Sequence, residues 1–444
     1  MPQNINVKNL LTIRRPNLDR WLILHRGCIS EKLLFSRERV GYGLMFFGVL
    51  ISMFATIGVW FFWPIQSNFS FFAIVPIALS WVISKNTGDS LYCPNSSRYA
   101  AIVFFAFQIY SAIVNKNNIN FLVGGLLSSL IIFSVFSLKP EVRTRLARQF
   151  SVLMGCILIV SIPTWLLFVI GFPLPSFTIE PPNGLYTFDN YFFFLSGDNE
   201  FEIMPRFQSI FLEPGHVGTM CALMLFTQVG NWRKWYNILM IVALLLSFSL
   251  AAYVLFVIII FTSMWMKGKR IFLKLLSVAV LIVGVGIGSY FYNDGDNLVN
   301  QLILARLEMD DTGKLAGDNR VTPQFEGQYD DFIKSDDILF GRDYNIDKVG
   351  FGNSGYRVFI YNYGLVGVLL MVVFYLMMPV CSHWRRSVIS MWILTIAIFW
   401  ERATPNILYN IIPLFIAACW EPPHKVLKEE DPVENLRKEA TDGC

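Results

Sequence analysis

Long apolar runs, each of about twenty residues, recur along this chain between polar or basic clusters. Hydrocarbon offers backbone N–H and C=O groups no partner, so a chain crosses a bilayer as α-helices or as a closed barrel. The runs lack the period-two alternation of barrel strands. The pattern therefore predicts an all-α, polytopic integral membrane protein.

Clusters of lysine and arginine predict the topology, because cytoplasmic loops carry an excess of both residues. The pattern gives about twelve transmembrane helices, with both termini cytoplasmic and one large and one smaller loop on the opposite face. The predicted segments are a basic N-terminal segment (1–41), five transmembrane helices (42–173), the smaller loop (174–207), central transmembrane helices (208–292), the large loop (293–363), three final transmembrane helices (364–420) and a charged tail (421–444). The first five spans are predicted at about 42–63, 69–84, 99–115, 119–138 and 151–173, with the basic stretch between the fourth and fifth spans on the cytoplasmic side.

The run 236–266 lies between two basic clusters, "NWRKW" and "MKGKR", so both of its ends favour the cytoplasmic side. A hairpin of two short helices that turns at 247–249 satisfies both ends, whereas one long helix would place one cluster outside. We therefore favour the hairpin and keep the single helix as the alternative.

Composition excludes a soluble globular protein. The chain is 55% apolar and 15% charged, whereas charged residues make up about a quarter of a soluble domain. Its seven cysteines are scattered singly, with no CxxC pair. They indicate small core residues rather than a disulfide or zinc framework.

The stretch "RFQSIFLEPGH" places Arg206, Glu213 and His216 at the mouth of an apolar run. A charged side chain where a helix enters the membrane costs free energy, so such a residue indicates a function. The planar arginine guanidinium can donate two parallel hydrogen bonds to phosphate oxygens. A carboxylate and an imidazole about one helical turn apart could share a proton or activate a hydroxyl. In the alternative interpretation, Glu213 caps the new helix and His216 merely packs.

Further arginines are predicted on the non-cytoplasmic face, where arginine is normally scarce. They are Arg306, Arg320, Arg342, Arg357 and Arg402. A cluster of arginines at a bilayer surface suits a lipid-linked pyrophosphate. The alternative is that these arginines pair with the many acids of the same loops.

A metal site is the weaker hypothesis for the acidic stretches of the large loop. Asp294, Asp296 and the run 308–311 lack the spacing of a calcium loop and are typical of solvated charges. We therefore predict no metal and no cofactor.

Four stretches carry a family resemblance. "RFQSIFLEPGHVG" before an apolar run, "LLLSFSLAAYVLF", "NRVTPQFEGQYDDF" in the large loop and "NSGYRVFIYNYGLVGVLL" occur in this order. Together they resemble the O-antigen polymerase and O-antigen ligase-like integral membrane proteins of bacteria. The resemblance covers about residues 200–380 by motif and the rest by topology.

The resemblance implies a multi-span, GT-C-like glycosyltransferase in the bacterial inner membrane, with both loops periplasmic. Such an enzyme moves glycan from an undecaprenyl-pyrophosphate-linked oligosaccharide to an acceptor glycan, without a nucleotide sugar, metal or cofactor. Membrane lipid, a chain-length regulator and a flippase are further implied partners, and no nucleic acid is expected. Polymerisation of O-antigen, capsule or exopolysaccharide repeats is the favoured function. Ligation to lipid A-core and flipping of lipid-linked oligosaccharide are the alternatives.

Residues carry over from the resemblance by motif. Arg206 and Glu213 match the R…EPG motif, and Arg320 opens the motif of the large loop. Tyr356 and Gly364 fall in the motif that leads into the next span. The implied catalytic residues are Arg206, Glu213, His216 and Arg320. The implied pyrophosphate and glycan contacts are Arg206, Arg320, Arg342, Arg357 and Tyr356.

One departure favours a polymerase. Where the ligase branch commonly has a histidine and many polymerases have an aspartate, "GNSGY" offers Asn353 and Ser354, neither of which is an effective base at neutral pH. The missing histidine is what favours a polymerase over a ligase. The base would then be Glu213, His216 or a loop acid. The loop acids considered are Asp318 and Asp343.

Overall fold

The computed structural model describes most of the chain. The described residues are 18–85, 91–93, 96–114, 119–182, 184, 187–197, 205–267, 271–297, 299–309, 321–343, 349–350, 353–379, 385–401 and 408–417. This part of the chain is mostly helical, and its strands form one small sheet.

The helices follow the apolar runs. In chain order the described α-helices are α1 (Leu18–Thr56), α2 (Phe69–Lys85), α3 (Arg98–Val114), α4 (Ile119–Phe136), α5 (Pro140–Val169), α6 (Pro214–Thr227), α7 (Trp235–Leu246), α8 (Leu250–Lys267), α9 (Ile271–Phe291), α10 (Pro323–Ile333), α11 (Tyr356–Met377), α12 (Arg385–Glu401) and α13 (Leu408–Ala417). Short 3₁₀ and π turns cover Trp60–Asn68, Tyr292–Gly295, Asn300–Leu304, Ala305–Leu307 and Asp336–Ile338. The antiparallel strands β1 (Phe177–Ile179), β2 (Phe188–Asn190) and β3 (Leu195–Gly197) pair in chain order.

Five of the described helices are long and apolar enough to cross a membrane. They are Arg37–Thr56, Trp60–Lys85, Ile119–Phe136, Pro140–Val169 and Tyr356–Met377. Shorter apolar helices are Arg98–Val114, Trp235–Leu246 and Leu250–Met266. These helices support a helical membrane protein, while the count of twelve and the sidedness of the loops stay predictions.

Three helices begin well ahead of the apolar runs that predict them, and the first is α1, which starts at Leu18 rather than at 42. The helix α5 starts at Pro140 and takes in the basic stretch that was predicted to be a cytoplasmic loop ahead of a span at 151. Proline at the first helical position has its φ preset for a helix. The helix α11 starts at Tyr356, inside the predicted large loop, rather than at 364. Hydropathy marks the apolar part of a helix, and these three helices extend beyond it.

The run 236–266 is divided into two helices, as the favoured interpretation predicts. The helix α7 ends at Leu246 and α8 begins at Leu250, with Phe248 between them at φ 45°. One straight helix would separate Trp232 from Phe256 by about 36 Å. Their ring centroids are instead 6.0 Å apart, so α8 folds back beside α7.

One arginine lies inside the apolar core. Arg143, in the first turn of α5, is only 1% exposed. Its Nε donates to the Leu138 carbonyl at 2.8 Å, and its guanidinium lies 4.3 Å from the centroid of the Phe415 ring. A buried cation over an aromatic face is a stabilising contact. Arg143 therefore connects the turn between α4 and α5, through Leu138, to α13, through Phe415.

Candidate functional site

Three parts of the fold hold the segment that leads into α6. Trp165 of α5 donates its indole N–H to the Pro205 carbonyl at 3.0 Å. The Phe207 N–H donates to the Leu246 carbonyl at the end of α7 at 3.1 Å. Beyond the end of α1, the Gly58 carbonyl accepts from the Leu212 N–H at 3.1 Å. These bonds fix the backbone on both sides of Arg206.

Arg206 lies against the C-terminal end of α7. Its Nε donates to the Ser247 carbonyl at 3.2 Å. The C-terminus of a helix carries partial negative charge, which favours a guanidinium there. Arg206 also lies within electrostatic reach of the Tyr253 phenol on α8. The turn between α7 and α8 thus positions the arginine.

Glu213 and His216 lie at the start of α6. Glu213 has extended backbone angles at the N-cap position and Pro214 follows it, but the Glu213 side chain makes no capping hydrogen bond. Glu213 therefore lacks the hydrogen-bonded form of a cap, although a negative charge at the N-terminal end of α6 remains favourable. The Glu213 side chain is 49% exposed and that of His216 is 10% exposed, with Oε2 and Nε2 3.9 Å apart. That distance exceeds a direct hydrogen bond, and it leaves an accessible carboxylate beside a buried imidazole.

Ser247 brings Arg206 and the start of α6 together. Its carbonyl accepts from Arg206, and its side chain packs against Gly218, one turn beyond Glu213. A Cβ on Gly218 would lie 2.5 Å from the Ala252 Cβ and 2.9 Å from the Ser247 Oγ. Only a glycine lets α6 approach the turn this closely. The sequence predicts only a turn at 247–249, and the contact of this turn with both Arg206 and α6 is visible only in the fold.

Asn353 joins two of the motifs that carry the resemblance. Its Oδ1 accepts from the Thr322 N–H at 2.7 Å. Its amide donates to the carbonyls of Val349 at 2.8 Å and Gly350 at 3.1 Å. Thr322 also caps α10 by accepting from the Phe325 N–H. Asn353 therefore holds the start of the "VTPQF" helix against the residues before α11.

The large loop also docks into a break in α11. Gly364 has φ 60° and ψ −170° inside this helix. At the break, the Arg342 N–H donates to the Tyr361 carbonyl at 2.6 Å and the Val366 N–H donates to the Leu339 carbonyl at 3.1 Å. A Cβ on Gly364 would lie 2.5 Å from the Leu339 carbonyl oxygen. Glycine at this position thus lets the loop pair with the helix backbone.

Two of the predicted arginines pair with acids of the same loop. The Arg342 Nε donates to Asp337 Oδ2 at 2.5 Å, and this bond raises the pKa of Arg342. The Arg357 Nη1 lies 3.4 Å from Glu326 Oε1. For these two residues the alternative interpretation, pairing with loop acids, is confirmed. The pairs lower the net charge that either arginine offers to an anion.

Tyr356 stands beside Arg357 and connects it to α12. The Arg357 Nε donates to the Tyr356 hydroxyl at 3.3 Å. The Tyr356 ring stacks on Trp400 near the end of α12, with centroids 4.3 Å apart and planes 24° apart. Tyr356 and Arg357 are both half-buried. This group is thus built from α10, α11 and α12.

Both groups of site residues lie at one end of the α8–α12 pair. At the other end, the Arg386 Nη1 donates to the Trp265 carbonyl at 3.2 Å, and α8 packs against α12. Trp400 follows Arg386 by about 21 Å of helix, and Leu250 precedes Trp265 by about 22 Å. Trp400 and the start of α8 are therefore level with each other. The turn that holds Arg206 adjoins the start of α8, and Tyr356 stacks on Trp400.

Some predicted residues lie outside the described part of the chain. They are Arg320, Asp318 and Arg402, together with the side chain of Arg306. Asp343 is described and is exposed. Within the described residues, no group of three His, Cys, Asp or Glu side chains is placed to hold a metal ion.

Comparison with known proteins adds no relative. No protein-family model, curated protein or solved structure matches the chain. The family resemblance therefore rests on the four sequence stretches and stays a prediction.

Proposed function

We propose that this protein is a membrane glycosyltransferase that polymerises repeat units of a surface polysaccharide. Its donor is an undecaprenyl-pyrophosphate-linked oligosaccharide, and its acceptor is the growing glycan. The reaction takes place at the periplasmic face of the bacterial inner membrane, within a bundle of about twelve helices that keeps both termini cytoplasmic. The observation that carries the proposal is the grouping of Arg206 and the Glu213–His216 pair around the α7–α8 turn.

Arg206 supplies the charge that the donor needs. As the bond from the anomeric carbon to the pyrophosphate oxygen breaks, the electron pair stays with the departing undecaprenyl pyrophosphate. Hydrogen-bond donors that are fixed in advance at the developing charge usually contribute most to the rate of such a transfer. Arg206 is held by a backbone carbonyl at a helix end, so it needs little reorganisation. Arg320 is the second proposed pyrophosphate ligand.

Glu213 is the proposed general base. The acceptor hydroxyl forms the new bond to the anomeric carbon, and its proton passes to the Glu213 carboxylate. The side chain is half-exposed and can reach a substrate. Its distance to the His216 imidazole leaves room for closer approach when a substrate is bound, as is common for catalytic pairs. His216 stabilises the charged carboxylate or relays the proton.

The test is the polysaccharide ladder on a gel. A deletion strain receives wild type, Arg206→Ala, Glu213→Gln or Arg320→Ala at matched membrane levels. Controls are Arg148→Ala and Glu141→Gln, two exposed charges on α5. We expect the deletion and the three site variants to collapse the ladder to a single-repeat band, and both controls to keep it.

Other outcomes oppose the proposal. Full-length polymer that stays on its lipid carrier would make the protein a ligase. Loss of even the single-repeat band would favour a flippase. An unchanged ladder in the deletion strain would reject a role in this polysaccharide.

A further inference from the structure

Five side chains from α10, α11 and α12 form a polar and aromatic cluster. We call Glu326, Tyr329, Tyr356, Arg357 and Trp400 the aromatic–acid cluster. Arg357 lies between the Glu326 carboxylate at 3.4 Å and the Tyr356 hydroxyl at 3.3 Å. Tyr356 in turn stacks on Trp400. The cluster thus combines an ion pair with aromatic rings.

Tyr329 completes the cluster on the side of α10. Burial raises the pKa of the Tyr329 phenol; Tyr356 raises it further, and the Arg357 guanidinium opposes the shift. Tyr329 follows Glu326 by three residues in α10, so the two side chains lie on the same face of that helix. The Tyr329 ring also stacks on the buried Phe325, with centroids 5.9 Å apart, which holds Tyr329 in place.

The cluster is open at its aromatic end. Trp400 is 66% exposed although it is a large apolar side chain. The Glu326 side chain is 26% exposed and that of Arg357 is 35% exposed. A ligand can therefore reach an indole, a carboxylate and a guanidinium together. Aromatic side chains with a polar partner are what a ligand with both apolar and polar faces requires.

The charge balance selects the class of ligand. Glu326 offsets the charge of Arg357, so the pair attracts a pyrophosphate far less than an arginine without such a partner. A carboxylate accepts hydrogen bonds and a guanidinium donates them, which matches the hydroxyl groups of a sugar. The C–H face of a sugar ring can pack on the Trp400 indole. A neutral glycan therefore fits the cluster better than a lipid-linked pyrophosphate does.

We propose that the aromatic–acid cluster is the acceptor-glycan subsite, separate from the pyrophosphate end of the site at Arg206. Glu326, Tyr329 and Trp400 are its added residues, and Arg357 and Tyr356 contact glycan rather than pyrophosphate. The inference rests on the proposed function. The cluster lies at the same end of the α8–α12 pair as the turn that holds Arg206.

The test measures binding by the purified full-length protein in nanodiscs. One probe is the host's surface polysaccharide released from its lipid, and the other is undecaprenyl pyrophosphate. We expect Trp400→Ala and Glu326→Gln to weaken polysaccharide binding at least about tenfold, the effect of losing one good contact, and to leave undecaprenyl pyrophosphate binding unchanged. Arg206→Ala should weaken undecaprenyl pyrophosphate binding and leave polysaccharide binding unchanged. Trp400→Phe, which keeps an aromatic face, should retain part of the affinity.

Matched controls separate the subsite from general surface effects. Trp235→Ala removes another exposed tryptophan, and Asp331→Asn neutralises another exposed acid of α10. Both controls should bind polysaccharide as wild type does. Equal binding by wild type, Trp400→Ala and Glu326→Gln would overturn the subsite and leave Trp400 as an interfacial aromatic. Absence of binding by wild type would overturn it as well.

The two proposals fail separately. If Arg206→Ala collapses the ladder while Trp400→Ala keeps full polysaccharide affinity, the polymerase stands and the subsite is wrong. If Trp400→Ala and Glu326→Gln weaken polysaccharide binding but Arg206→Ala and Glu213→Gln leave the ladder unchanged, the cluster binds glycan and the proposed reaction is wrong.

Discussion

Replacing Gly364 with alanine should release the large loop from α11. At φ 60° and ψ −170° the backbone lies in a region that is essentially restricted to glycine, and a residue with a Cβ there costs about 1–3 kcal/mol. The new Cβ would also lie 2.5 Å from the Leu339 carbonyl oxygen and 2.6 Å from the Gly341 nitrogen. Overpacking of this kind adds about 1–3 kcal/mol. The docked arrangement should therefore weaken by about 2–6 kcal/mol.

Hydrogen exchange measures this loss at the affected amides. The Arg342 and Val366 N–H groups both donate across the docked contact. With tenfold for each 1.4 kcal/mol, local opening and exchange should become at least about 30-fold faster in Gly364→Ala. Gly327→Ala is the matched control, because its Cβ would meet no atom within 4 Å. Exchange at these amides no faster than in that control would refute the reasoning.

Three further substitutions test the fold around the site. Gly218→Ala should separate α6 from the α7–α8 turn, at a cost of about 1–3 kcal/mol, and should therefore shorten the polysaccharide ladder. Gly124→Ala is the control: its new Cβ would lie 3.7 Å from the nearest atom, an ordinary contact, so the ladder should keep its length. Asn353→Ala removes hydrogen bonds worth about 1 kcal/mol each, so limited proteolysis should cut the large loop faster than in wild type; equal rates would contradict this role. Arg143→Ala leaves a cavity under Phe415 and should reduce the free energy of unfolding by about 2–5 kcal/mol. The apparent melting temperature in detergent should fall accordingly. Arg148→Ala, at an exposed position of the same helix, should leave it unchanged.

Hydropathy located several helices accurately and misplaced the ends of others. The predicted starts at 69 and 119 agree with α2 and α4, because apolar residues fill these helices from end to end. The pattern missed the first turns of α1, α5 and α11, which contain charged residues. Arg143 shows why, since its charge suggested a loop, but packing over Phe415 allows it to lie in a buried helix.

The sequence also located part of the site. Arg206, Glu213 and His216 are near neighbours along the chain, so their motif could be found without a structure. The contact of Ser247 with both Arg206 and α6 joins residues that are distant in sequence. The sequence likewise does not show which loop acid pairs with Arg357, because the pairing with Glu326 results from the packing of α10 against α11. Local patterns carry no information on such pairings.

The most direct test of the proposed reaction uses the purified protein in nanodiscs with an undecaprenyl-pyrophosphate-linked repeat unit as the only glycan. Wild type should lengthen the lipid-linked glycan and release undecaprenyl pyrophosphate in step with each added repeat. Arg206→Ala and Glu213→Gln should do neither, and Arg148→Ala should match wild type. Lengthening by Glu213→Gln at the wild-type rate would remove Glu213 as the base, and no lengthening by wild type would contradict the polymerase itself.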